Sequence, residues 1–444
     1  MKSEKSTSID VKPSGHFARV DIPDEDILTQ CMHCGLCLPV CPTYNLTGIE
    51  RSSPRGRIRL IKEYAAGRLP LSNTFIDEMY FCLDCQACVS VCPAGVKYGQ
   101  LVEAARAQIY SSKKESGFWI KKFFFRYVFT SFKRLKFLAR LIRFYQKRLE
   151  PFFTKIGLFR IIPKQLVRMQ ELAPRISEYF FDETIPEKIV SEDKPTYRVG
   201  MLSGCLMNIM FAEINRDTIE VLQHNNCEII TPKNQVCCGS LAAHNGDFEI
   251  AKKLARQNID IFDALHLDAI VINSAGCSAF MKEYAQLFLS DKEYYQKAAR
   301  ISTITKDVNE FLMEINFKKP TKPLPCKVTY HDACHLLHTQ KISQPPRELI
   351  RSIPGVEYVE LEEASWCCGS AGIYNLIRYE DSMKILERKI KNILKTEADI
   401  LLTANPGCMG QIAYGLKKVN SKMLVMHPIT LLNNAYKNSN TENK

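Results

Sequence analysis

Residues 31–42 read CMHCGLCLPVCP and residues 82–93 read CLDCQACVSVCP, so that four cysteines at intervals of three, three and four are twice followed by proline. The thiols are Cys31, Cys34, Cys37 and Cys41, then Cys82, Cys85, Cys88 and Cys92, with Pro42 and Pro93 closing the two runs. Three thiolates spaced by two residues in a tight loop can grip three irons of one cubane, while the fourth lies too far along the chain to close the same cube. Zinc knobs need four ligands in two pairs and have no use for a third CxxC step or the proline. The chemistry at these positions is therefore iron–sulfur ligation. Gly35 and Ala87, small residues beside ligands, leave room for backbone amides to approach sulfur.

In bacterial two-cluster ferredoxins the fourth cysteine of each run serves the partner cluster. That pattern assigns Cys31, Cys34, Cys37 and Cys92 to one [4Fe-4S] cluster and Cys82, Cys85, Cys88 and Cys41 to the second.

Eight of the remaining ten cysteines form a second repetition. Cys205, the triplet Cys237-Cys238-Gly239 and Cys277 recur as Cys334, Cys367-Cys368-Gly369 and Cys408, at offsets of 129, 130 and 131 residues. So constant an offset means two homologous folds with single-residue insertions absorbed in loops. Cys237 and Cys238 cannot chelate one iron from an extended strand, because successive side chains diverge; they need a turn, which Gly239 supplies. His331, His335 and His338 lie around Cys334. Histidine can replace a thiolate, as in Rieske centres, but hydrogen bonding to a cluster or to backbone is the commoner role. Cys227 and Cys326 fall outside every motif and read as spectator thiols.

The elements that must position these thiols follow from local pattern. YRVGMLSGC, AIVINSAGC, CKVTYHDAC and DILLTANPGC are short apolar runs that end in small residues at a cysteine. Each reads as a buried parallel strand delivering a thiol at its carboxyl end. FAEINRDTIEVLQHN and SMKILERKIKNILKTE are helical stretches between them, which argues for α/β units. Ligands gather at the carboxyl edge of such sheets, where helix N-termini favour a negatively charged thiolate cluster. In the N-terminal part, SSPRGRIRLIKEYAAGRL predicts a loop and a basic amphipathic helix with Ile58, Ile61 and Ala65 on one face, and LVEAARAQIY predicts a closing helix.

Bulk properties bound the rest. A chain of 444 residues is long enough for two or three packed domains. Its N-terminus, MKSEKSTSIDVKPSG, has no apolar signal core, and no run of about 18 apolar residues offers a membrane span. The expected location is cytoplasmic, where 18 cysteines are metal or cluster ligands and not a disulfide framework. From Lys113 to Arg175 there are 17 Lys or Arg against Glu115, Glu150 and Glu171, a net of +14 in a chain whose total is +12. Aromatics are interleaved with this charge at helical spacing. The segment is expected to be a helical connector; a basic helix rich in Trp and Phe also suits an anionic membrane surface, on the inner face of the cell membrane. No recognised fold supports nucleic-acid binding. No GxGxxG after a strand, P-loop or nucleophile elbow appears, so flavin and nicotinamide sites, and any catalytic residue for hydride chemistry, are expected on another subunit.

Two CxxCxxCxxxCP motifs followed by two CCG repeats resemble the glycolate oxidase iron–sulfur subunit family and, more distantly, cysteine-rich subunits of heterodisulfide reductase and anaerobic glycerol-3-phosphate dehydrogenase. CPTYNLTG, SPRGRIRLIK, CPAGVKY, GCSAFMKEY, CCGSAGIYNL and LLTANPGC carry the closer likeness; the basic insert matches least. The resemblance implies electron transfer from an FAD-containing 2-hydroxy-acid dehydrogenase subunit, acting on glycolate or D-lactate, to a quinone or another carrier. In heterodisulfide reductases the repeat ends in CxxC and five cysteines hold a noncubane cluster. Here Ser274 and Asn405 replace the first cysteine of that pair, leaving four thiols per repeat, enough for one further iron–sulfur cluster each.

The expected architecture is α+β and multidomain: an α-helical two-cluster ferredoxin domain (1–112), a basic amphipathic helical connector (113–195), and α/β cysteine-rich CCG repeats with parallel strands (196–322 and 323–444). The expected function is iron–sulfur electron transfer in a 2-hydroxy-acid dehydrogenase complex. The alternative is a heterodisulfide-reductase-like thiol-disulfide oxidoreductase.

Overall fold

A computed structural model describes residues 25–440 apart from 116, 158, 160 and 191–193; the polar N-terminal stretch 1–15 lies outside the described residues. The chain divides into two compact units, one comprising residues up to Asp84, Cys88–Phe118 and His244–Gly246, the other Cys85–Ala87, Trp119–Ala243 and Asp247–Lys444.

The first unit is helical among the described residues. Ser53 caps the helix Pro54–Ala65 by accepting from the Gly56 amide at 3.0 Å, and Pro54 supplies the fixed φ that suits a first helical turn. Gly56 is obligatory for packing: a Cβ there would stand 1.9 Å from the Glu50 carbonyl oxygen. Ile58 and Ile61 point inward as their spacing predicts, against Phe75 and Met79 from Asn73–Phe81 and Leu101, Val102, Ala105 and Ile109 from Tyr98–Ser112.

The second unit holds two sheets. The first contains β1 (Lys188–Ile189), β2 (Tyr197–Met201), β3 (Cys227–Ile230), β4 (Ala269–Ile272) and β5 (Thr305–Asp307), in the order β1-β3-β2-β4-β5. The second contains β6 (Cys326–Tyr330), β7 (Val356–Val359), β8 (Ile400–Leu402) and β9 (Leu424–Met426), in the order β7-β6-β8-β9. Leaving β1 aside, the two orders are the same, and all pairings within them are parallel, which confirms the duplication. The short β1 is antiparallel to β3 and was not signalled by the sequence. One apolar core is shared by both repeats, with Val199, Val271, Val328 and Leu402 among its members. Helices Ala212–His224 and Pro428–Asn440 meet across it, where the rings of His224 and Tyr436 stack 3.9 Å apart.

The basic segment is helical, as expected. Phe125, Val128, Phe132, Leu135 and Ala139 bury one face in the outer core of the first repeat. Much of its charge is satisfied within the unit: Lys136 meets Asp182 at 2.8 Å, Arg140 meets Glu183 at 2.7 Å and Lys147 meets Glu178 at 2.8 Å.

Candidate metal centres

In the first unit, Cys31, Cys34, Cys37 and Cys92 line one open cavity together with Cys88, Pro93 and Tyr98. Gly35 turns the loop with φ +88°, and a Cβ there would approach the Arg55 guanidinium to 3.0 Å. Arg55 in turn fixes the loop by donating to the His33 carbonyl at 3.2 Å while holding Glu50 with Nε and Nη2.

Cys41 and Cys82 flank a buried arginine that composition alone would have placed in solvent. Arg57 is fully buried; Nε donates to the Glu78 carbonyl at 2.7 Å and Nη1 to Thr43 Oγ1 at 3.1 Å. Thr43 Oγ1 lies 3.3 Å from Cys41 Sγ. Burial pushes the Cys41 thiol up, and the Arg57 charge opposes that shift. Burial works against the Arg57 charge as well, but Tyr98 and the Cys82 and Cys41 thiols outweigh it, so Arg57 stays protonated. The Asp84 amide and the Tyr98 hydroxyl donate to Cys82 Sγ at 3.3 and 3.4 Å, bonds that stabilise a thiolate and tune a cluster held by it. Cys85 is half-buried.

In the second unit each repeat gathers its four predicted thiols. Cys237 Sγ lies 3.5 Å from Cys205 Sγ, and hydrogen bonding with the Cys205 and Cys238 thiols lowers the Cys237 pKa from its ordinary value. Cys238 is raised by Cys237 and Cys277. In the second repeat Cys367 and Cys408 lower Cys368, while Cys334 and Cys368 raise Cys367. Gly239 and Gly369 turn the chain directly after each cysteine pair, with φ +95° and +87°.

The strand prediction needs one correction. The strands stop short of the cysteines: Cys205 opens a short helix after β2, Cys277 lies in Ala275–Lys282, and Cys408 lies in Pro406–Lys418. Small residues such as Ser-Gly and Asn-Pro-Gly are helix entrances here, so the thiols sit in first helical turns. The site still falls where strand order reverses, between β2 and β4 and between β6 and β8, the crevice that open parallel sheets offer to ligands. Of Ser274 and Asn405, which replace the missing cysteines, Asn405 does structural work: its Oδ1 accepts from the Gly276 amide at 3.3 Å, and beside it the Ala275 amide donates to the Ala404 carbonyl at 3.1 Å, joining the repeats.

Among the three histidines near Cys334, His331 joins the thiols, within a group with Cys368 and Cys408. His335 Nδ1 pairs with Thr339 at 3.4 Å, and burial lowers the pKa of His338. Cys227 is buried in the shared core, with its thiol pushed up to about 12, and Cys326 begins β6; both fit spectator roles.

The donor set fits iron–sulfur clusters: a cavity walled by the first predicted ligand set, and two groups of four convergent thiols. Fold and site together define an iron–sulfur protein with a ferredoxin-type module and duplicated cysteine-rich domains. Family models agree, with a 4Fe-4S dicluster domain matching residues 27–96 and a cysteine-rich domain matching 199–282 and 328–413. The basic segment, expected to match the family least, is itself matched at 118–173 by a model for the linker region of the glycolate oxidase iron-sulfur subunit. The chain is 40% identical over 417 residues to the "Probable glycolate oxidase iron-sulfur subunit" of Bacillus subtilis (strain 168), covering 92% of this chain and 94% of the relative. It is 28% identical to the "Glycolate oxidase iron-sulfur subunit" of Escherichia coli (strain K12), over 88% and 90% of the two chains. "Lactate utilization protein A" of Geobacillus sp. (strain WCH70) is 30% identical over 53% of this chain and 99% of its own. The chain belongs to the glycolate oxidase iron–sulfur subunit family.

Proposed function

We propose that the chain is the iron–sulfur electron-transfer subunit of a flavin-dependent 2-hydroxy-acid dehydrogenase complex. A partner subunit carrying FAD takes two electrons and two protons from glycolate or D-lactate, leaving the 2-oxo acid; the electrons then pass singly through this chain to a quinone or another acceptor. The observation that carries this reading is the gathering of four thiols at the strand-order switch of each repeat, in a chain that also bears two ferredoxin motifs.

Cys31, Cys34, Cys37 and Cys92 are the ligands of one [4Fe-4S] cluster, and Cys82, Cys85, Cys88 and Cys41 those of a second. Cys205, Cys237, Cys238 and Cys277 hold a third centre, and Cys334, Cys367, Cys368 and Cys408 a fourth. The division into 1–112, 113–195, 196–322 and 323–444 follows the motifs.

Within 118–173, apolar side chains face solvent in helical register. Ile120, Phe123, Phe124 and Tyr127 form one exposed stripe beside Trp119; Phe137, Leu141 and Phe144 form another on the face opposite Leu135 and Ala139. Exposed Lys133, Arg140, Lys147 and Arg148 flank the second. Aromatic and aliphatic anchors among cations suit the headgroup region of an anionic bilayer, and no helix among the described residues is long and apolar enough to cross one. This supports peripheral attachment on the cytoplasmic side, close to a quinone pool.

The test is turnover. The chain should enhance dye or quinone reduction only when a hydroxy-acid flavoprotein is present. Reduction of a disulfide by the isolated chain with a dye donor would favour the heterodisulfide-reductase-like alternative.

A further inference from the structure

The two repeats differ at one position that faces the thiols. His331 follows β6, and its amide donates to the Leu402 carbonyl at 2.9 Å; in the first repeat Leu202 makes the corresponding bond to Val271 at 3.3 Å. His331 therefore stands where the first repeat places Leu202, and both side chains are buried. The exchange brings two ring nitrogens into the interior, and neither makes a hydrogen bond of full geometry; the Cys368 thiol is the partner that the ring approaches. A buried polar group left unpaired costs about 1–3 kcal/mol. What the ring faces is sulfur: a ring nitrogen and the Cys368 and Cys408 thiols all lie within 4.8 Å of one another. Leu202 offers no donor at the matching place.

We propose that His331 is a ligand, alongside Cys368 and Cys408, of the metal centre in the second repeat, so that the two repeats hold inequivalent centres. The proposal rests on the reading that the repeats hold iron. The first repeat offers thiolates alone; the second offers four thiols and an imidazole. With the imidazole in place of one of the four thiolates, the centre is less negative and its reduction potential is higher, as in Rieske centres. A second difference acts in the same direction. Gly239 abuts Ala251 and Gly369 abuts Ser382, an alignment that places buried Lys389 where the first repeat has Asn258. Asn258 donates to the Cys237 carbonyl at 3.1 Å, whereas Lys389 brings an ammonium group, donating to the Ala364 carbonyl at 3.2 Å. The second centre is then the better electron acceptor of the pair.

The test uses full-length protein purified without oxygen, labelled with ¹⁵N-histidine, reduced, and studied by pulsed EPR alongside iron analysis. His331→Leu installs the residue of the first repeat and is expected to fold; His338→Leu is the control. The expected result is a directly bonded nitrogen coupling that disappears in His331→Leu, with one midpoint moving to lower potential, and that survives in His338→Leu. About sixteen irons per chain with no such coupling, or with a coupling that persists in His331→Leu, overturns the proposal while leaving the functional reading intact. About eight irons with no histidine coupling overturns the proposal together with the reading that the repeats hold iron.

Discussion

Arg57 and Glu78 are locked together inside the helical unit: Arg57 Nε donates to the Glu78 carbonyl at 2.7 Å, and Nη2 lies 3.5 Å from its carboxylate, with both side chains out of solvent. The arginine thereby carries a fixed positive charge to Cys41 and Cys82. Arg57→Leu leaves the Glu78 carbonyl and Thr43 Oγ1 without their buried donor, while the Glu78 carboxylate keeps Arg51 at 2.9 Å and Ser52 at 3.1 Å, and is expected to cost about 1–3 kcal/mol. Arg57→Lys keeps the charge without the guanidinium fork and should lose less. Arg57→Gln, loaded with clusters, should show one ferredoxin-type midpoint moved to lower potential in an EPR-monitored titration. Unchanged midpoints would remove Arg57 from cluster tuning.

Gly369 and Gly239 make the same turn with different tolerance. A Cβ on Gly369 would meet the Ser382 carbonyl oxygen at 2.7 Å; on Gly239 the nearest atoms are the Ala251 Cα and O at 3.2 Å. Both also need positive φ, which costs a non-glycine residue about 1–3 kcal/mol. Gly369→Ala should therefore lose more stability, and more iron from its repeat, than Gly239→Ala. Thermal melts and iron analysis of the two variants check the order.

His427 is fully buried, with Nδ1 accepting from the Ile429 amide at 3.1 Å as the helix Pro428–Asn440 begins. Burial pulls its pKa from 6.5 down to about 3. The folded chain thus needs the neutral ring, so this contribution is complete above about pH 6.5 and is lost as pH falls toward 3. By pH 4.5 the loss should reach about 2–3 kcal/mol. His427→Asn keeps an acceptor at the helix start without titrating. Denaturant melts at pH 7 and 4.5 should show a smaller acid penalty in the variant.

The cysteine framework was legible because ligation fixes both residue type and spacing, and the offsets of 129 to 131 residues made the duplication visible before any sheet was seen. Three things were not. Arg57 lay in a helix that reads as basic and amphipathic, and charge ordinarily signals exposure; its burial depends on Glu78, 21 residues away. The basic segment's carboxylate partners at 178–183 are likewise distant in sequence. The step from strand to helix before Cys205, Cys277 and Cys408 was hidden because small residues suit both a strand end and a helix entrance.

Membrane attachment makes its own demand. Replacing Phe137, Leu141 and Phe144 together by Ser removes an exposed stripe and no residue of the shared core. Flotation with anionic vesicles should fall sharply in this variant and at high salt, with melting temperature unchanged. Equal flotation of variant and parent would separate these side chains from lipid binding.

The most direct measurement is iron and acid-labile sulfide per chain, with EPR after reduction, on protein made and kept without oxygen. The four thiol sets predict about sixteen of each and reduced-cluster signals from both halves of the chain. Colourless protein that contains zinc or no metal, and gives no paramagnetic signal, would contradict the account.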